Sequence, residues 1–283
     1  MRAIFLCEDE KNIRRVYAPE TVNWLSENAG VDDNIYTKER IQKEPDRWAK
    51  VQYVFSTWGM PVFSEEEIRA YFPELKAVFY AAGSVQPFAR PFLNCGVKVF
   101  SAWAANGVPV AEYTVAQITL ANKGFFRSSR FGNAKERRSA QQLHLAYPGN
   151  YGVNVGIIGA GMIGKLVIRM LKAYDLRVLV FDPFLSEEKA EELGVEKTSL
   201  ARVFSECQVV SNHLANNEQT KGMLTYPLFA SMRENATFIN TGRGAQVVEA
   251  DLVQALRERP DLTALLDVTY PEPPVEGHPF YEL

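Results

Sequence analysis

The chain has 283 residues, 47% of them hydrophobic and 23% charged, a balance that suits a globular protein of two domains and excludes a disordered or fibrous one. A formal net charge of −3 supplies no broad basic field, which argues against a nucleic-acid partner, and no stretch approaches the ~18 apolar residues of a membrane span. The three cysteines, Cys7, Cys95 and Cys207, stand too far apart for a disulfide framework or a zinc site, so no metal is expected and a reducing cytoplasm is the expected compartment.

Residues 2–7 are the first strand candidate, an apolar run too short for a signal peptide that turns acidic at Glu8-Asp9-Glu10. Further strands are predicted at 51–56, 76–81 and 97–101. Between them, residues 65–71 read as a helix capped by Ser64, with Glu67 completing a capping box. Residues 108–125 predict a long helix whose only charges are Glu112 and Lys123, a composition expected to be buried on most sides. The stretch 127–150, rich in Arg, Ser, Gln and Gly, reads as a surface excursion. The tight basic clusters at Arg14-Arg15, 127–130 and 135–138 read as solvated surface. Five more strands are expected at 153–158, 177–181, 208–211, 236–240 and 263–267, with helices between them. Such alternation predicts an α/β protein of two Rossmann-like doubly wound parallel-sheet domains, at 1–102 and 103–283.

The strand at 153–158 runs directly into Gly159-Ala160-Gly161-Met162-Ile163-Gly164, and apolar residues then recur at helical spacing through Leu171. Gly159 permits a tight turn, Gly161 lets backbone approach a pyrophosphate, and Gly164 lets helix and strand pack closely. The N–H groups of Met162 and Ile163 open the helix, where its dipole favours phosphate. Asp182 closes the next strand, eighteen residues after Gly164. A carboxylate there accepts from ribose hydroxyls and repels a 2′-phosphate, and Pro183-Phe184 supply no arginine, so the expected cofactor is NAD rather than NADP.

Three later segments, in order, resemble the D-isomer-specific 2-hydroxyacid dehydrogenases. The first is Val209-Val210-Ser211-Asn212-His213-Leu214 with Thr220 beyond it. The resemblance implies that His213, Leu214 and Thr220 lie beside the nicotinamide ribose, although Ala215 stands where the family usually has proline. The second is Ile239-Asn240-Thr241-Gly242-Arg243-Gly244, which implies cofactor contacts at Thr241 and Gly242 and a catalytic arginine at Arg243. A guanidinium is always charged and grips the carboxylate and carbonyl oxygens of a 2-oxo acid in a fork that lysine lacks. The third is Asp267-Val268-Thr269-Tyr270-Pro271-Glu272, which implies that Asp267 approaches the nicotinamide amide and that Glu272 orients the acid–base histidine. More loosely, Ala81-Ala82-Gly83-Ser84-Val85 resembles the family's glycine loop, whose amides at Gly83, Ser84 and Val85 face the substrate carboxylate. The family's fold is a flavodoxin-like substrate domain joined to an NAD-binding domain.

In that family the acid–base histidine follows the glutamate by some tens of residues. None of His144, His213 and His278 has this spacing from Glu272, so either the chain is a fragment or the protein naturally lacks its proton donor. Ending inside a βα unit would leave an apolar sheet edge unpaired, so the expectation is a fragment that lacks its histidine and the closing segment of its first domain. The implied activity is hydride transfer between NAD(H) and a small 2-hydroxy or 2-oxo acid, and the long apolar helix 108–125 with the adjoining excursion 127–150 predicts a homodimer formed mainly through the cofactor domain. The alternative is a catalytically silent NAD-binding sensor of the corepressor kind, against which Arg243 and Glu272 together speak. A methyltransferase or an adenosylhomocysteine-hydrolase-like protein fits the glycines but not the later segments.

Overall fold

The structure, a computed structural model, describes residues 2–130 and 137–283. The chain divides into two compact units, Met1–Gly107 and Val108–Leu283. The first holds five parallel strands: β1 (Ala3–Leu6), β2 (Val31–Tyr36), β3 (Tyr53–Ser56), β4 (Ala77–Tyr80) and β5 (Lys98–Ser101), in the order β2-β1-β3-β4-β5. This is the flavodoxin-like order. Ile4 and Leu6 of β1 pack into a layer with Trp48, Phe63, Phe72 and Phe92, whereas Ala3 and Phe5 face Ile13, Tyr17 and Leu25. Period-two alternation with both faces buried explains the unbroken apolar run. Sequence patterning misses β2, which reads Val-Asp-Asp-Asn-Ile-Tyr. It is an edge strand, and its polar centre is used: Arg14 pairs with Asp33 at 3.1 Å and the Tyr36 hydroxyl donates to Asp32 at 2.6 Å. The helix Glu65–Tyr71 carries the expected capping box between Ser64 and Glu67.

The long apolar helix spans Trp103–Asn122, starting earlier than expected. The expectation that it is buried on most sides is wrong. Ala111, Val115, Ile118 and Ala121 join the core of the second unit, but Val108, Tyr113 and Leu120 on the other face are 38–50% exposed. It stops before Gly124, whose φ of +69° and whose approach to the Tyr147 ring leave no room for a β-carbon. The described parts of the 127–150 excursion include two helices, Phe125–Ser128 and Arg137–Leu145; residues 131–136, including part of the last basic cluster, lie outside the described residues. Arg127 is no free surface charge either: it donates to the Asn235 side chain at 2.5 Å and to the Asp261 carbonyl at 3.3 Å.

The second unit holds β6 (Tyr151–Ile158), β7 (Asp175–Phe181), β8 (Glu196–Lys197), β9 (Val209–Asn212), β10 (Thr237–Asn240) and β11 (Thr263–Leu266), all parallel, in the order β11-β10-β9-β6-β7-β8. Val155, Ile157, Val180 and Val209 pack on the helix Met162–Leu171. On the opposite face Ile158, Leu179, Val210 and Phe238 meet Phe204 and Phe229. Sheet order reverses between β6 and β9, so their C-terminal ends form the crevice where open α/β sheets bind ligands. Among the described residues, no helix is long and apolar enough to cross a membrane.

Candidate active site

The last residues of five strands lie in register: Ile158 pairs with both Phe181 and Asn212, Asn212 with Asn240, and Asn240 with Leu266. The segments that follow them therefore leave the sheet side by side. They carry the glycine turn, Asp182, His213-Leu214, Thr241-Gly242-Arg243 and Asp267.

The glycine turn shows why each glycine is needed. Gly159 has a φ of +91°, and a β-carbon there would lie 2.9 Å from the His213 carbonyl. At Gly164 a β-carbon would lie 2.0 Å from the Gly159 oxygen, inside any tolerable contact. Gly161 differs, because nothing lies within 4 Å of where its β-carbon would stand. It is also the N-cap of the helix Met162–Leu171 and offers no side-chain cap, which leaves the first N–H groups free for an anion. Ile163 packs at the edge of the core, which leaves its backbone as the part it can offer a ligand. A free helix start behind an open glycine fits a pyrophosphate. Asp182 fastens this turn: one carboxylate oxygen accepts from the Ala160 N–H at 2.7 Å and the other from the Phe184 N–H at 2.8 Å. Each oxygen keeps a lone pair for a ribose hydroxyl.

His213 lies between two hydroxyls, sharing hydrogen bonds with Ser211 Oγ at 2.9 Å and with Thr241 Oγ1 at 3.5 Å. Thr241 is buried and reaches Thr114 Oγ1 at 3.1 Å. Burial without a carboxylate partner pushes the His213 pKa down to about 4, so the ring is neutral at physiological pH. Thr220 serves its own loop, donating to the Ala215 carbonyl at 2.7 Å and accepting from the Asn217 N–H at 3.1 Å.

Arg243 is exposed, and its guanidinium donates to the Gly242 carbonyl at 2.7 Å. Gly244 is required behind it, since a β-carbon would lie 2.1 Å from the Thr269 backbone passing over the loop. Asp267 donates its N–H to the Asn240 carbonyl at 3.0 Å and leaves its side chain exposed. Glu272 is exposed in the proline-rich turn. His278 pairs with Glu249 at 3.3 Å, and His144 is exposed, its Nδ1 3.0 Å from the Lys123 carbonyl.

Patterning overlooked the polar residues beneath these loops. Asn212, Asn240 and Gln246 are 0–1% exposed and bonded to one another and to the loops above. The available signal was an asparagine closing each of two apolar runs, Val209-Val210-Ser211-Asn212 and Thr237-Phe238-Ile239-Asn240.

In the first unit, Ser101 Oγ lies within hydrogen-bonding distance of the Gly83 carbonyl at 2.5 Å and the Ala82 carbonyl at 2.9 Å. Ser84 is exposed, while the Val85 side chain packs on the core and its carbonyl accepts from the N–H groups of Phe88 and Ala89.

The family model described as D-isomer specific 2-hydroxyacid dehydrogenase, NAD binding domain, matches residues 115–283. A D-3-phosphoglycerate dehydrogenase of Bacillus subtilis is 33% identical over 184 residues, which cover 64% of this chain and 34% of that protein. A D-lactate dehydrogenase of Escherichia coli is 30% identical over 164 residues, covering 58% of this chain and 49% of the relative. The chain thus aligns with half or less of the length of either relative. Among solved structures, the holo form of Rhodotorula graminis D-mandelate dehydrogenase superposes with a TM-score of 0.80 at 18% identity, over 100% of this chain and 85% of that one, a likeness of fold.

Proposed function

Because the chain belongs to the D-isomer-specific 2-hydroxyacid dehydrogenases and carries their NAD-binding domain, we propose that it acts as an oxidoreductase between NAD(H) and a small 2-hydroxy or 2-oxo acid. The observation that carries this reading is the register of β6, β9 and β10, which brings the glycine turn, the His213 loop and the Arg243 loop out at three successive strand ends. NAD, when bound, supplies the hydride acceptor or donor at its nicotinamide ring. The N–H groups behind Gly161 hold the pyrophosphate, and Asp182 accepts from the ribose. Thr241, Gly242, His213, Leu214 and Thr220 line the nicotinamide ribose, and Asp267 meets the carboxamide. Arg243 grips the substrate carboxylate and stabilises negative charge developing on the carbonyl oxygen.

Residues 1–102 form the substrate domain in this reading, and Gly83, Ser84 and Val85 are its candidate substrate contacts. We assign proton transfer to none of the three histidines: the ring of His213 is held neutral, His278 is engaged by Glu249, and His144 lies beside the Lys123 carbonyl on the surface. Glu272 orients the proton donor in this reading. The exposed Val108, Tyr113 and Leu120 suit a homodimer, for which a stable interface needs roughly 800 Å² per partner. The unpaired cysteines suit the cytoplasm.

Arg243→Lys tests the site. Lysine keeps the charge but loses the two parallel hydrogen bonds, so binding of a 2-oxo acid to the NADH complex should fall about a hundredfold while NADH binding stays within about twofold. An equal loss of NADH affinity would assign Arg243 to the cofactor and overturn the reading. Rapid reduction of pyruvate or glyoxylate by the 283-residue chain would return the proton donor to His278 or His144.

A further inference from the structure

Asn212, Asn240 and Gln246 form a closed set of buried amides at the C-terminal ends of β9 and β10. Asn212 Nδ2 donates to Asn240 Oδ1 at 3.0 Å and to Gln246 Oε1 at 2.6 Å. The remaining capacity goes to two loops. Toward His213-Leu214, Asn212 Oδ1 accepts from the Leu214 N–H at 3.2 Å and Gln246 Nε2 donates to the Leu214 carbonyl at 2.8 Å. Toward the arginine loop, Asn240 Oδ1 accepts from the Gly242 N–H at 3.1 Å and Asn240 Nδ2 donates to the Arg243 carbonyl at 3.2 Å. Gln246 Oε1 also accepts from the Arg243 N–H at 3.4 Å. Both backbone groups of Leu214 and both of Arg243 are thereby held on one amide cluster.

Packing alone does not call for amides here, because apolar side chains fill the interior on either side of these strands. A buried amide with both ends satisfied fixes orientation as well as distance, since moving either loop leaves a donor or acceptor unmet in a low-dielectric interior. Gly242 reinforces this: a β-carbon there would lie 3.1 Å from both Asn212 Nδ2 and Gln246 Oε1, so the loop rests directly on the cluster.

We propose that Asn212, Asn240 and Gln246 are positioning residues that lock the Leu214 loop and the Arg243 loop into one rigid piece, so that the guanidinium stands at a fixed offset from the cofactor. The inference rests on the reading of Arg243 as the 2-oxo acid anchor, and the cluster acts through that residue without touching substrate.

The test uses the full chain with Asn212→Leu, Gln246→Leu and the double variant, read by thermal unfolding, amide hydrogen exchange, NADH fluorescence and oxamate binding to the NADH complex. Each single change strands a buried partner and should lower Tm. Replacing both removes the Asn212–Gln246 pair as a unit, so the double variant should lose less than the sum of the two single changes, although the Leu214 and Arg243 backbone groups stay unmet. In the double variant the Leu214 and Arg243 amides should exchange about tenfold faster than in the unaltered chain, and oxamate should bind about tenfold more weakly while NADH stays within about threefold. Unaltered exchange at both amides in the double variant would overturn the proposal, as would unaltered oxamate affinity. If the unaltered NADH complex takes up no oxamate, the anchoring role of Arg243 fails, and hydrogen exchange alone decides whether the cluster locks the two loops.

Discussion

In the first unit the hydroxyls of Ser56, Thr57 and Ser101 bond to backbone carbonyls at neighbouring strand ends: Leu6, Ala81, and Ala82 with Gly83. In the second unit the corresponding places hold the amides of Asn212 and Asn240, which bond to Gln246, to each other and to both loops above. A hydroxyl rotates to suit any acceptor, so it ties one loop and tolerates small shifts. An amide presents donors and acceptors in one plane and ties two loops at a set angle. Three glycines show the same contrast. Gly159 and Gly164 face fixed backbone, whereas Gly83 faces only the tip of the Asn106 side chain at 3.2 Å. The glycine turn and the Arg243 loop of the second unit are thus held to a tolerance that the Gly83 loop of the first does not share, which is what the proposed hydride transfer would require.

Breaking that tolerance should give the largest effect. In Gly164→Ala the new methyl would stand 2.0 Å from the Gly159 oxygen, and neither helix nor turn can give way alone. A loss of roughly 3 kcal/mol in stability is expected, at the upper end for forced overpacking, with NADH binding lost because the helix start retreats from the pyrophosphate. Chemical denaturation and NADH fluorescence check both; near-normal values would mean that the turn is looser than its geometry.

Much of this division was legible beforehand. Periodicity locates nine of the eleven strands among the described residues, because central strands buried on both faces are apolar throughout. It misses β2 and β8, whose polar composition belongs to edges of their sheets. The glycine spacing reveals the turn because sterics allow no other residue at Gly159 or Gly164. Asn212, Asn240 and Gln246 are not legible as a set, since a cluster joining β9, β10 and the loop after it exists only once the strands are in register. The exposed face of the helix Trp103–Asn122 is missed because an apolar helix looks the same in sequence whether its own chain or a partner covers it.

A smaller effect should come from pH. The unfolded His213 ring titrates near the ordinary imidazole value of 6.5, but in the fold desolvation holds it near 4. The folded pKa is depressed, so below pH 6.5 the unfolded chain binds a proton that the native chain refuses. Stability from this ring is therefore complete above about pH 6.5 and lost progressively as pH falls toward 4, by about 2 kcal/mol between pH 7 and pH 5. His213→Gln keeps a hydrogen-bonding group between Ser211 and Thr241 without a titrating ring. It should flatten that part of the pH–stability curve relative to the unaltered chain. Parallel curves for the two proteins would show that the ring is solvated.

The smallest stability effect is expected at Gly83, and it sharpens the comparison from the tolerant side. Gly83 has no positive φ, and the one neighbour a methyl would press is a side-chain amide free to turn by a few tenths of an ångström. Lowering the conformational entropy of the unfolded chain by the Gly→Ala change offsets that adjustment, so the net change should lie within about 0.5 kcal/mol. NADH affinity should not move, because the glycine turn, Asp182 and the loops after β9 and β10 all belong to the second unit. Binding of a 2-oxo acid should weaken several-fold if the amides of this loop approach the carboxylate, since the methyl would stand in the way of that approach. Three measurements on one variant therefore separate the roles: denaturation for the fold, NADH fluorescence for the cofactor site, and oxamate titration for the loop. A loss of stability comparable to that of Gly164→Ala would mean that the strand ends of both units are equally unforgiving, and unchanged oxamate binding would remove the Gly83 loop from the substrate site.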